Sequence, residues 1–341
     1  MDPSREGRHD HQTMKYANMK LILFLALAVF LCRHAGGQDF PQAAISNGLL
    51  DARFYLPDTT AGYYRSTRFD WSGVMPALEY KGHHFFGQWF PQYAPTIHDA
   101  IMGPVESFWP LDFDEAAAGG DFTVIGVGVL TRPDTARYSP FRYYPIRNAG
   151  AWRVRTTTAA IEFRQTLDDG TYSYVYTKAI TLTKGKPELV IKHTLHNTGH
   201  RAIGSEVFDH NFFVTDSTSL APGFILKFPF TLTATGITGP PGLAAIDGDS
   251  IAILRPFTQR ESVYAVLHGY GDSPKDYDIR LENHITGAGV HITADRPLSK
   301  LVYWGSVHTL CPEPYIHVSV APGETFGWTL RYEFYTLNPH S

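Results

Sequence analysis

Three stretches of this chain alternate apolar and polar residues almost one for one: residues 171–177 (TYSYVYT), 189–195 (LVIKHTL) and 328–334 (WTLRYEF). A helix repeats its faces about every 3.6 residues, so a repeat of two cannot give it a continuous apolar stripe. Such stretches predict strands with two unlike faces. Turn signals separate them. Asp168-Asp169-Gly170 is expected to close a hairpin between residues 161–167 and 171–177, and Lys184-Gly185-Lys186-Pro187 to close the next. Pro240-Pro241-Gly242 and Asp247-Gly248 mark further turns, and the Gly- and Pro-rich residues 236–248 read as a loop. Beyond an N-terminal apolar run, the only helical pattern is a weak one over residues 97–108. Many short strands with frequent turns predict one large all-β sandwich or barrel.

Composition narrows the function. The chain has 341 residues, 18% charged and 43% apolar, which suits a globular protein. A net charge of -4 without a long basic run gives no footprint for nucleic acid. Aromatic residues reach 14%, which suits a β-rich core and equally a sugar site, where flat rings cover the apolar faces of sugars. Lys15 and Lys20 precede the apolar run 21–31, and Ala35-Gly36-Gly37 follow it. The run is short for a bilayer span and reads as a secretory signal. Residues 1–37 are therefore set apart, 38–341 are expected to form a single domain, and the protein is expected in the periplasm or secreted. No membrane attachment beyond the export signal is expected. Cys311 is then a lone thiol, so the domain must be held by its core rather than by a disulfide.

Several familiar sites are missing from the sequence: there is no phosphate-binding glycine loop, no H-E-x-x-H and no G-x-S-x-G. Gly126-Val127-Gly128 lacks the third glycine of a dinucleotide site and reads as strand backbone. His193, His196 and His200 look metal-like, but alternation sends His193 and His196 to opposite faces, so they read as ordinary strand and turn histidines. No metal or cofactor is expected. Four polar segments in aromatic settings stand out instead. They are Arg68-Phe69-Asp70-Trp71, His98-Asp99, Asp209-His210-Asn211-Phe212-Phe213, and Cys311-Pro312-Glu313-Pro314. Glu313, flanked by prolines, reads as a residue of a rigid turn. Trp71, Phe85, Phe86, Trp89, Phe90 and Trp109 read mostly as core, with one or two left to stack on a sugar.

Segment 182–213, LTKGKPELVIKHTLHNTGHRAIGSEVFDHNFF, resembles the aldose 1-epimerase (galactose mutarotase) superfamily in its strand, asparagine-containing turn, strand, and histidine beside aromatics. Segment 287–306 and the C-terminal CPEPYIHVSVAPGETFGWTLRYEF are similar to the same family's end, with a Cys-x-Glu element and a Pro-Gly-Glu turn. The resemblance implies a β-supersandwich of large antiparallel sheets and cofactor-free opening and closing of a sugar ring. It implies Glu313 as the base that takes the anomeric proton and His210 as the acid that protonates the ring oxygen. It also implies Arg68 and His98 as substrate contacts, and Asp99, next to His98, is expected as another. The sequence departs from the family where Asn211 follows His210 directly, and Asp209-His210-Asn211 also resembles a family segment that carries a substrate-binding aspartate. Asp209 and Asn211 are thus further expected contacts. The substrate implied is a mono- or oligosaccharide. Two alternatives stay open: a carbohydrate-binding protein without a working acid–base pair, and a lyase-like enzyme on the same scaffold in which Arg68 and His98 hold a uronic carboxylate.

Overall fold

The computed structural model describes residues 39–169 and 171–337; the expected export segment lies outside them. Among the described residues, regular structure is strand, apart from short 3-10 turns at Thr215–Ser217 and Pro274–Asp276. No helix there is long and apolar enough to cross a membrane.

The three alternating stretches lie side by side. Tyr174–Leu182 pairs with Glu188–Asn197, which pairs with Thr325–Thr336, all antiparallel. Ala160–Leu167, Tyr174–Leu182 and Glu188–Asn197 pair antiparallel in order, as the two predicted hairpins require, with Gly170 of the first turn outside the described residues. These strands lie in one half of a ten-stranded sheet that continues through Ala288–Ala294, Asp278–Asn283 and Phe224–Lys227. A six-stranded sheet faces it, in the order Thr233–Thr238, Ser262–His268, Lys300–Ser306, Thr309–Val320, Ile203–Phe212, Gly103–Phe108. The architecture is the all-β supersandwich of large antiparallel sheets that the sequence led us to expect.

Alternation explains the core. Leu189, Ile191 and Leu195 point inward, and so do their neighbours Leu330 and Tyr332. From the opposing sheet Phe108 meets Tyr176 edge-on at 5.5 Å and Trp328 at 6.2 Å. Burying one such ring contributes roughly 1.5–3 kcal/mol. A second, aromatic-rich cluster covers the other face of the six-stranded sheet. There Phe212 and Cys311 pack with Phe69, Trp71 and Ile101. The candidate site lies on this outer face.

Three sequence expectations need correction. The helical pattern over 97–108 is instead the strand Gly103–Phe108, buried at every residue. A strand covered on both faces need not alternate, so its periodicity misleads. The presumed loop 236–248 contains the end of strand Thr233–Thr238 and the strand Ala244–Asp247, which lie at the edges of the two sheets. The residues that suggested a loop, Gly239, Pro240, Pro241 and Gly242, fall between these two strands. Gly126 is not strand backbone. It turns the chain between Asp121–Val124 and Gly128–Thr131 at φ +80°, with Asp70 so close that a Cβ would lie 2.8 Å from its side chain.

Candidate active site

Strands Ile203–Phe212 and Thr309–Val320 are neighbours whose ladder opens and closes again. Residues 203–208 pair with 320–315, and Phe213 bridges Leu310 in the same register. In between, the ladder is interrupted, and the projected register sets His210 opposite Glu313. Pro312 and Pro314 lie in this interval, where their missing N–H groups leave no ladder donor unpaired. Asn211 Nδ2 donates to the Pro312 carbonyl at 3.1 Å and fills the breach with a side chain. Glu313 is therefore in a strand, not on the rigid turn expected from its prolines.

The result is a juxtaposed pair. His210 Nε2 lies 3.2 Å from Glu313 Oε1. Both line a cavity of about 310 Å³, together with Arg68 and Asp99. The His210 ring stacks on Phe212 at 3.8 Å and 9°, with the edges of Phe69 and Trp304 against it. Arg68 pairs with Asp99, and its guanidinium lies between the rings of Phe69 (4.6 Å) and Phe141 (4.7 Å). His98 stands behind this pair. Its Nδ1 is 2.8 Å from Asp99 and its ring packs edge-on to Phe141, but it does not line the cavity.

No family model and no curated protein matches the sequence. Solved structures do match the architecture. A galactose mutarotase-like protein from Lactobacillus casei superposes with a TM-score of 0.53 at 12% identity, over 86% of this chain and all (100%) of that one. The aldose epimerase homologue from C. elegans gives 0.52 at 13%, over 88% and 99%. A galactose mutarotase related enzyme from Lactobacillus acidophilus gives 0.52 at 12%, over 87% and 98%. The chain has the galactose mutarotase-like fold.

Within that fold the two faces of Ile203–Phe212 divide the expected site residues. Phe208, His210 and Phe212 look into the cavity. Asp209 and Asn211, expected as sugar contacts, do not line it, because successive strand residues alternate. Both accept a hydrogen bond from the Tyr332 hydroxyl of the opposite sheet, Asn211 at 2.9 Å. The departure from the family pattern at Asn211 thus concerns the space between the sheets and the breach in the ladder.

That inner face carries an ionic cluster unforeseen from the sequence. Lys178 Nζ donates to Glu106 at 2.5 Å, and His193 Nε2 lies 2.7 Å from the same carboxylate, all three side chains within 1% of full burial. Glu106 is the register partner of Asp209. Burial, and next the Glu106 charge, push the Asp209 carboxyl up to about 7. His193 also stacks on Trp328 at 4.3 Å, so it is a core residue, while His196 lies against Glu324 and Thr325 at the surface.

On the cavity side burial acts on both members of the pair. It pushes the Glu313 carboxyl up to about 7, against the pull of Arg68 and Lys300. It drives the His210 imidazole well below its usual range, with Arg68 adding to the effect. Their mutual attraction at 3.2 Å opposes both shifts. Burial thus favours the uncharged form of each member, with a proton on Glu313 rather than on His210. Of the aromatics read mostly as core, Phe85, Phe86, Phe90 and Trp71 are buried, whereas Trp89 and Trp109 line the cavity. Tyr138, Phe141, Lys300 and Trp304 are among the other residues of its wall and had no signal in the sequence beyond general aromatic richness.

Proposed function

We propose that the protein is an exported carbohydrate-active enzyme that interconverts the α and β anomers of a sugar by ring opening and closure. The observation that carries this reading is the His210–Glu313 pair, 3.2 Å apart on the floor of an aromatic cavity. The N-terminal apolar run supports export. The names of the solved relatives point to the same chemistry.

Ring opening takes a proton from the anomeric hydroxyl and gives one to the ring oxygen. Both oxygens sit on the same carbon, so adjacent protein groups can serve both. Glu313 takes the hydroxyl proton, the bond between anomeric carbon and ring oxygen breaks, and its electron pair goes to the ring oxygen, which takes the proton of His210. The open-chain carbonyl turns about its bond and the steps reverse. The pair carries one proton throughout, on His210 before opening and on Glu313 after it. Because the cycle is reversible, the free enzyme can also start with the proton on Glu313, where burial favours it. Arg68, fixed by Asp99 and two rings, is placed to donate to a sugar hydroxyl. Its charge is already matched by Asp99, which disfavours the uronic lyase reading.

The test follows the optical rotation of fresh α-glucose and α-galactose. Wild type is expected to accelerate the decay over buffer, with kcat down about 10²–10⁴-fold in Glu313→Gln and His210→Asn. A wild type no faster than buffer on a panel of aldoses removes the anomerase reading. Acceleration that survives both substitutions removes the site assignment.

A further inference from the structure

Trp109 separates two hollows. On one side is the cavity of His210 and Glu313; on the other is a hollow of about 560 Å³. Trp109 and Tyr138 line both, so the two share a wall. Trp109 is 58% exposed, although its residue type is normally well covered. Its ring is braced by the edge of Tyr138 at 5.3 Å and 72°. A large ring held rigid in solvent, at the mouth of a sugar cavity, is a platform for the apolar face of another sugar.

The second hollow differs in character from the first. Asp114, Glu115 and Arg137 line it, all exposed and without an ion-pair partner among the described residues. Asp112, also in its wall, is already engaged by Arg201 and by the Tyr172 hydroxyl at 2.9 Å. Two free carboxylates against one free guanidinium leave the hollow net acidic, which suits hydroxyl groups as donors and disfavours a carboxylate. Gly204 lies in the same wall, and a Cβ there would meet nothing within 4 Å. The chain backbone thus leaves the hollow open where any side chain would intrude.

We propose that the second hollow binds the next unit of a neutral oligosaccharide whose reducing end occupies the cavity. This rests on the anomerase reading for the first hollow. A reducing sugar in the cavity presents its anomeric carbon to His210 and Glu313, and its remaining hydroxyls face the mouth beside Trp109. A glycosidic link there carries the next ring past Trp109 into the second hollow, toward Asp114 and Glu115.

The test compares glucose, maltose and maltotriose, with a trigalacturonate as anionic comparator, by calorimetric binding and by optical rotation. The neutral trisaccharide is expected to bind about tenfold more tightly than glucose, the scale of one hydrogen bond to a charged group. Gly204→Phe, which fills the hollow from a site without left-handed backbone, is expected to abolish that advantage. So is the double variant Asp114→Ala/Glu115→Ala, which removes both acceptors. Neither touches the cavity, so glucose binding is expected to persist and reports that both variants fold. Affinity independent of length, or unchanged in both variants, overturns the proposal while leaving the anomerase reading intact. Equal or tighter binding of trigalacturonate overturns the neutral substrate class. Length-dependent binding that both variants lose, with no acceleration of mutarotation on any sugar, supports the second hollow and removes the anomerase reading instead.

Discussion

Replacing Lys178 by methionine removes the permanent cation from the space between the sheets. Lys178 Nζ donates to Glu106 Oε2 at 2.5 Å and reaches the Ser72 carbonyl at 3.4 Å. Burial pushes the Glu106 carboxyl up, Lys178 and His193 pull it down, and the balance holds it at about 2 against a usual 4.5. That difference corresponds to about 3 kcal/mol in favour of the charged form. A lowered carboxyl contributes stability that is present above pH 4.5 and lost as pH falls toward 2, so it is fully present at pH 7. Without Lys178, Glu106 faces Asp209 and Asp70 with only His193 beside it. Stranding one member of a buried pair costs about 3–5 kcal/mol. Urea unfolding at pH 7 is the assay, where such a loss lowers the midpoint by roughly 1 M or more. The double variant Lys178→Met/Glu106→Gln is expected to recover much of the loss, since the carboxylate that Lys178 pairs with is gone and its repulsion of Asp70 and Asp209 goes with it. Lys192→Met, exposed in the same sheet, serves as control and is expected to stay within about 0.5 kcal/mol. The reasoning fails if Lys178→Met costs no more than the control, or if the double variant is no more stable than the single.

Four further outcomes follow from the geometry. The pair needs one proton, so kcat/KM for mutarotation is expected to hold up to about pH 7 and to fall above it as Glu313 loses its proton; a rate that climbs through pH 7 counts against a shared proton. Lys300 helps to hold Glu313 down, so Lys300→Met is expected to move that alkaline limb to higher pH. Asp209, raised from 3.8 to about 7, contributes stability that is present below pH 3.8 and lost as pH rises to about 7; Asp209→Asn is expected to flatten that decline by at least about 1 kcal/mol, read from urea unfolding at pH 4 and pH 8. Gly126→Ala, at φ +80° and against Asp70, is expected to cost about 1–3 kcal/mol in the same assay.

The sequence was most legible where one face of a strand is wet. Tyr174–Leu182, Glu188–Asn197 and Thr325–Thr336 bury alternate residues, and their alternation survives in the letters. Gly103–Phe108 is covered on both sides and carried no such trace. The same limit governs the site. His210 and Glu313 were legible as types in a familiar order, but their opposition depends on a register set by residues on either side of them. Asp209 and Asn211 were assigned to the sugar because Asp209-His210-Asn211 resembles a family segment with a substrate-binding aspartate, but strand geometry turns them away from the face that His210 occupies. Trp109 is a large apolar residue whose base rate favours the interior. Its exposure follows from the hollows on both sides, which involve segments far apart along the chain.

The breach between Ile203–Phe212 and Thr309–Val320 has a consequence for what this scaffold could become. Main-chain bonds tie a sheet together and normally resist any rearrangement of the residues that make them. At positions 209–212 and 311–314 that duty has been lifted on the facing edges, and the prolines prevent the seam from closing again. His210 and Glu313 hang from this seam with their backbones anchored by strands on the outer sides. Other side chains could be exchanged into these two places without unpicking a ladder. His210 and Glu313 thus occupy the most replaceable part of a rigid frame, which makes this seam the natural place to graft new chemistry.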